Sequence, residues 1–216
     1  MKEYSSIPSA TELLARWDKY EGSPFTAFEK LDGSNIRAEW DRKLGWHQFG
    51  SRHRPLDASQ PILGQAIPLV LDGYGDGLAK AFVDDPALAR PTQATAYFEF
   101  VGPHSFAGMH DPLELGVPSN DPFRVVLIDV NLHKRGLVSA ERFVESFGHL
   151  GIPDVVHRGM LGLWFIADVR AGRFGEGEGV ILKGGEGHGR WMAKVKTDAY
   201  LRRLKERFGG WERHWE

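Results

Sequence analysis

Three strand-like runs in quick succession, residues 25–31, 34–40 and 44–49, constrain this chain more than any other feature. The breaks between them, Asp32-Gly33 and residues 41–43, are short polar stretches of the kind that turn a chain. Such a segment builds antiparallel sheet. The 26 Gly and 12 Pro extend the theme, because they make turns frequent and favour a sheet-rich fold. Residues 95–101 and 124–130 read as further strands, the second apolar enough to be buried on both faces. Residues 178–183 and 190–196 read as two more, around a Gly-rich hairpin turn at 184–189. Helices are scattered among them. Ser9 and Glu12 form a capping box ahead of Leu13, Leu14 and Trp17. Residues 76–90 carry Leu78, Phe82 and Leu88; Ser139 caps a helix with Phe143 and Phe147; residues 161–170 form another. Thr197 caps a last helix holding Tyr200, Leu201 and Leu204, while 55–68 and 104–121 read as loops. The mixture is α+β with antiparallel sheets and flanking helices.

A chain of 216 residues suits one domain with a real core. Its 27 Lys and Arg against 29 Asp and Glu lack the excess positive charge of a bulk nucleic-acid binder, leaving room only for a local basic groove. With no Cys, disulfides, Cys-based zinc sites, iron–sulfur clusters and thiol nucleophiles are excluded. No apolar run reaches the ~18 residues of a membrane span. The first residues lack the basic-then-apolar order of a signal peptide, so the expected compartment is cytoplasmic, with no membrane partner.

The chemistry-bearing stretch is Glu29-Lys30-Leu31-Asp32-Gly33-Ser34-Asn35. A Lys at the end of an apolar strand, before a turn, is partly desolvated, and desolvation lowers an amine's pKa toward what a nucleophile needs. The plainer alternative is an exposed Lys beside a β-turn. Glu99 stands in the apolar run 97–102, where a buried carboxylate needs a partner; simple alternation instead turns Tyr97, Glu99 and Val101 outward. In 178–183, alternation puts Glu178, Val180 and Leu182 on one face and Lys183 on the other. Lys194 and Lys196 share a face, either as a solvated surface pair or as a clamp on an anion such as phosphate. His104, His110 and Asp111 admit a metal site, with surface histidines the default. No Walker A sequence is present.

Taken in order, Lys30, Glu99, Glu178 with Lys183, then Lys194 and Lys196 resemble the covalent nucleotidyltransferase superfamily of ATP-dependent ligases and capping enzymes. Lys30-Leu31-Asp32-Gly33 matches the nucleophile motif Lys-x-Asp-Gly, and residues 97–102, 178–183 and 194–196 match motifs III, IV and V. Asn35 narrows the likeness to the RNA ligases of the phage nick-sealing type, since DNA ligases and capping enzymes usually carry Arg there. The resemblance implies a single nucleotidyltransferase domain over 1–216, two antiparallel sheets around an ATP cleft, and no appended oligonucleotide-binding or large C-terminal domain. It implies that Lys30 attacks the α-phosphate of ATP to form lysyl-AMP, with Lys194 and Lys196 as catalytic partners. Glu29, Asp32, Gly33, Asn35, Arg52, Glu99, Ile128, Glu178 and Lys183 are the implied nucleotide-binding residues, with Arg54 a rival to Arg52. Mg²⁺, with Mn²⁺ a substitute, is implied beside Asn35 and Glu178. The joined partners are RNA ends or a nicked duplex. Ile128 departs from the family, which usually places an aromatic residue over the adenine. Only 20 residues follow Lys196, among them Arg202, Arg203, Lys205 and Arg207, so the resemblance leaves RNA contacts to that helix or to a partner protein. Trp211 and Trp215 read as packing or contact residues.

Overall fold

The computed structural model describes residues 1–102, 104–110 and 122–208. Asp111, Trp211 and Trp215 lie outside them. In chain order come α1 (Ala10–Leu14), α2 (Trp17–Tyr20), β1 (Pro24–Lys30), β2 (Ser34–Asp41) and β3 (Gly45–Ser51). Then come α3 (Ala66–Val70), α4 (Asp76–Asp84), β4 (Gln93–Val101), β5 (Arg124–Leu132) and the short β6 (Gly136–Leu137). The chain continues through α5 (Ala140–Phe147), β7 (Val155–Met160), α6 (Leu163–Arg170), β8 (Gly179–Gly184), β9 (Trp191–Lys196) and α7 (Asp198–Arg207). Among the described residues no helix is long and apolar enough to cross a membrane.

The fold is α+β, with two antiparallel sheets and flanking helices, in two compact units. The first unit is Met1–Ser5 with Asp32–Ile152, and its sheet runs β3-β2-β4-β5-β6. Ile36, Ala38 and Trp40 of β2 share one face with Phe98 and Phe100 of β4, all of them buried. Phe82 of α4 packs on Trp40 at 5.1 Å between ring centroids, and Phe147 of α5 packs on Phe82 at 6.2 Å. The helical stretch begins upstream of the expected residue 76, with α3 running through a π-type turn at Leu71–Gly75 into α4.

The opposite face of this sheet is not open. Tyr4 packs on Tyr97 with ring centroids 4.7 Å apart and the rings tilted by 41°, its hydroxyl donates to Asp129 at 3.1 Å, and Tyr97 donates to the Lys2 carbonyl at 3.2 Å. Tyr97 is therefore 1% exposed and does not face solvent as alternation alone suggests. Alternation along β4 is obeyed; a second layer, the N-terminal segment, covers the outer face.

The second unit is Ser6–Leu31 with the chain from Pro153 onward, and its sheet runs β7-β1-β8-β9. Phe25 and Ala27 of β1, Val180 and Leu182 of β8, and Ala193 and Val195 of β9 make one apolar face. Leu161, Phe165, Ile166 and Val169 pack against it, with Ala10 and Leu13 of α1. The capping box of α1 is complete: the Ser9 amide donates to Glu12 at 2.8 Å and the Glu12 amide to Ser9 Oγ at 3.1 Å. Thr197 caps α7 by accepting from the Tyr200 amide at 3.1 Å.

Two sequence expectations change. Asp32-Gly33 is no hairpin turn, because β1 pairs with β7 and β8 while β2 pairs with β3 and β4. The apolar faces of β1 and β2 are claimed by different cores, so the chain passes from one sheet to the other at this point. The break after β2 is a true hairpin, where Asp41 Oδ1 accepts from the Lys43 amide at 2.8 Å. β7 was also not foreseen; its Val155-Val156 pair is the β-branched signal, cut short by Gly159.

Candidate active site

Register decides what meets Lys30. In the second unit's sheet, Lys30 lies opposite Gly179, and Gly179 lies opposite Lys196. Facing residues in an antiparallel pair point to the same side, and neighbouring strands lie about 4.8 Å apart. The two lysines therefore straddle Gly179 on the face turned away from the apolar core. The next row holds Phe28, Ile181 and Lys194; the one after it Thr26, Lys183 and Met192. Arg158 of β7, exposed and not singled out by the sequence, stands opposite Thr26 on this face.

Glu178 closes the first row. Its Oε2 accepts from Lys30 Nζ at 2.5 Å, and its Oε1 pairs with Lys196 Nζ at 3.2 Å. Residue Glu178 is 6% exposed, and a carboxylate so buried is costly unless paired; here both oxygens meet an ammonium. Glu178 thus does not share the core face of Val180 and Leu182, contrary to alternation. Gly179 has φ +148°, a backbone conformation that L side chains rarely adopt, and it breaks the pleat just after Glu178. Lys183, 3% exposed, obeys alternation and lies over the Phe28 ring, 4.9 Å from its centroid. Lys196 also lies 5.1 Å from the centroid of Tyr200. The Lys194 amide donates to the Pro8 carbonyl at 2.8 Å, tying the segment before α1 to the edge of β9. Glu29 is exposed on the opposite side of β1 from Lys30, with its amide on the Asp154 carbonyl at 2.8 Å.

Replacing Glu178 by Gln sets an amide N–H against one of the two ammoniums. We expect Glu178→Gln to lose about 1–3 kcal/mol of stability, the usual cost of spoiling a buried charge-assisted pair. Urea titration measures this; an unchanged midpoint would show that the pairing contributes nothing.

The first unit holds the remaining candidates. Asn35 lies opposite Glu99 across β2 and β4, and Glu99 lies opposite Val126 of β5. Asn35 Nδ2 donates to the Phe98 carbonyl at 3.4 Å, whereas its Oδ1 is buried with no hydrogen-bond partner. A buried carbonyl oxygen left so is a place for a water or a ligand donor. Gly33 packs so tightly that a Cβ there would come 2.3 Å from the Phe100 carbonyl oxygen and 2.9 Å from Glu99 Cγ. Asp32 Oδ2 accepts from the Ala107 amide at 3.0 Å. Ile128 is the extra residue of a β-bulge, where Leu127 faces Phe98 but Asp129 faces Tyr97. Arg52 and Arg54 are both exposed after β3.

His110 is not a surface histidine. It is 8% exposed, its Nε2 is 2.8 Å from Ser34 Oγ and its Nδ1 is 2.6 Å from Ser105 Oγ. Burial holds the imidazole below the ordinary histidine range. The folded protein keeps it neutral, whereas the unfolded chain takes up a proton from about pH 6.5 downward. Stability tied to neutral His110 is thus full above that pH and is lost as pH falls through the lowered folded value. We expect urea midpoints at about pH 7.5 and about pH 5.5 to differ more in the wild type than in His110→Gln. Equal differences would remove His110 from the acid response.

Among the described residues no group of three His, Cys, Asp or Glu could hold a metal ion. The donors present fit a divalent cation held largely through water and phosphate oxygens, with Asn35 Oδ1 able to take a water of its shell.

This architecture occurs among solved structures. The fold is similar to that of an RNA ligase. A Naegleria gruberi RNA ligase mutant with ATP and Mn matches over 96% of this chain and 59% of its own, with TM-score 0.69 and 14% identity. The same ligase with PPi matches over the same shares, with TM-score 0.60 and 15% identity. A mutant with AMP and Mn gives TM-score 0.62 and 13% identity over 96% of this chain. The chain spans about 59% of the length of these ligase chains. No protein-family model matches the sequence, and no curated protein does.

Proposed function

We propose that this chain is an ATP-dependent RNA ligase that joins a 3′-hydroxyl to a 5′-phosphate through lysyl-AMP on Lys30. The carrying observation is the row Lys30–Gly179–Lys196 with Glu178 bonded to both lysines. The likeness to ligase structures containing ATP, AMP and PPi supports the same reading.

In the proposed first step Lys30 Nζ bonds to the α-phosphorus of ATP. The bond from that phosphorus to the bridging oxygen of the β-phosphate breaks, and pyrophosphate leaves. The Lys30 ammonium gives up two protons on the way to the phosphoramidate: one before attack, which Glu178 Oε2 is within hydrogen-bond distance to receive, and one as the N–P bond forms, which leaves to solvent or with the departing pyrophosphate. Lys196, Lys194 and Lys183, on the same face, offset the negative charge on the transferring group. A divalent metal supplies further neutralisation of the phosphate oxygens when bound. Glu99 is the proposed holder of the ribose hydroxyls and Ile128 of an apolar contact with the base, as the resemblance implies. AMP then passes to an RNA 5′-phosphate, and a 3′-hydroxyl displaces it. RNA ends or a nicked duplex are the proposed substrates, a partner protein is the proposed source of further RNA contacts, and the proposed compartment is the cytoplasm.

The test is intact mass after incubation with ATP and Mg²⁺ or Mn²⁺, following removal of any bound AMP with pyrophosphate. The expected result is a gain of one AMP, discharged on adding a nicked RNA duplex with production of sealed strand. A protein that gains no mass under either metal is not an autonomous ligase. Discharge on nicked DNA alone would replace RNA by DNA joining.

A further inference from the structure

Gly102 and residues 104–110, beyond β4, fold into a tight element of their own. The Gly102 amide donates to Ser105 Oγ at 2.6 Å. Phe106 and Met109 exchange amide-to-carbonyl bonds of 3.1 and 3.0 Å, closing a two-residue turn at Ala107 and Gly108. Both turn residues have positive φ, +52° and +78°, which a primed turn requires and which strains a residue with a Cβ such as Ala107. The strained amide is the one that donates to Asp32 Oδ2 at 3.0 Å. A Cβ on Gly108 would stand 3.9 Å from the Gly33 carbonyl oxygen, an ordinary contact distance. Beyond the turn, His110 reaches Ser34 Oγ at 2.8 Å. Phe100 and Phe123, stacked at 4.8 Å, flank the imidazole, which meets Phe100 edge-on at 5.2 Å. Asp32 and Ser34 are thus each hydrogen-bonded by one short element, and the stretch they bound follows Lys30 in the chain after Leu31 alone.

We infer that Gly102 and residues 104–110 brace the Asp32–Ser34 crossover that follows the nucleophile, and that His110 is its positioning residue, acting through Ser34 and touching no reacting atom. Either neutral tautomer satisfies every contact. With the proton on Nε2, Ser105 accepts from the Gly102 amide and donates to Nδ1 while Nε2–H donates to Ser34 Oγ; with it on Nδ1, Ser105 accepts from both and the Ser34 hydroxyl donates to Nε2. The brace fixes the main chain on the Asn35 side of Lys30. Its contribution to the reaction rests on the lysyl-AMP reading; its existence does not.

The experiment is the rate of AMP loading of the full chain as a function of ATP concentration, for wild type, His110→Ala, His110→Gln, Ser34→Ala and His110→Ala/Ser34→Ala. A small misplacement near the chemistry lowers turnover more than binding, so His110→Ala should load about tenfold to a hundredfold more slowly, with the ATP KM changed less than about threefold. Gln places an N–H near the position of Nε2, so His110→Gln should recover most of the rate. The double variant should be no slower than the worse single one, because both act through one hydrogen bond. Additive losses, or a His110→Ala rate within about twofold of wild type, would overturn the inference. Should His110→Ala not fold, the Ser34→Ala and His110→Gln rates decide by the same criteria. Should the wild type itself load no AMP, the ligase reading fails, and the brace is tested by exchange of the Ala107 amide. An Ala107 amide whose protection falls in Ser34→Ala and in His110→Ala supports it; unchanged protection overturns it.

Discussion

Lys30→Ala should abolish AMP loading altogether while leaving a folded protein. The nucleophile is a single atom, Nζ, and no residual rate is expected from a chain that cannot form the phosphoramidate. Folding should survive because Glu178 keeps its second partner, Lys196 at 3.2 Å. Its pairing with Lys30 is still lost, so a modest fall in stability is expected, and Lys30→Arg separates the two effects. Arg keeps a cation for Glu178 but remains protonated at any working pH and is no nucleophile. Both variants should show unshifted intact mass after ATP and metal, with Lys30→Arg nearer wild-type stability. An adduct persisting in either variant would move the nucleophile elsewhere, with Lys194 and Lys196 as the next lysines to map by peptide mass.

The second large effect is expected at Gly179. A Cβ there would lie 2.0 Å from the Val195 carbonyl oxygen and 2.7 Å from the Lys196 Cα, both main-chain atoms of the paired strand β9. The residue also holds φ +148°. Neither problem is relieved by a side-chain rotation, so Gly179→Ala must part β8 from β9 or rotate the peptide that aims Glu178. We expect about 3 kcal/mol or more of lost stability, in the tail of single substitutions. AMP loading should fall with it, since the same strand pairing sets Lys196 beside Glu178. Gly187→Ala is the matched control: φ is +53°, yet nothing lies within 4 Å of a Cβ there. It should cost only about 1 kcal/mol, the backbone part alone. Denaturant midpoints at constant slope measure both. Equal costs would mean that the close approach of β8 and β9 is not what Gly179 serves.

The pattern of 2.0 and 3.6 residues made much of this fold legible. Ser9, Ser139 and Thr197 cap the helices foretold for them, and Leu13, Leu78, Phe82, Leu88, Phe143, Phe147, Tyr200, Leu201 and Leu204 are buried as expected, while Leu14 is exposed. Lys194 and Lys196 share a face because period two leaves no other choice. The order Lys30, Glu99, Glu178, Lys183, Lys194, Lys196 could be read as a string, since each residue type carries its chemistry with it.

Which strand lies beside which could not be read in that way. Pairing is a choice among distant segments, settled by which apolar faces fill one core, and local propensity is silent on it. So Asp32-Gly33 has the residues of a hairpin turn, but β1 and β2 belong to different sheets. Glu178 falls on the lysine face because Gly179 leaves the ordinary strand conformation, and it does so where β9 passes within contact distance. His110 gains its two hydroxyl partners from residues 76 and 5 positions away, and nothing near it in sequence marks it as buried. The sequence alone determined the chemical inventory and the faces of each element. Only the tertiary structure decided which of those groups meet, because long-range pairing sets distance and burial, and these fix what a charge or a proton does.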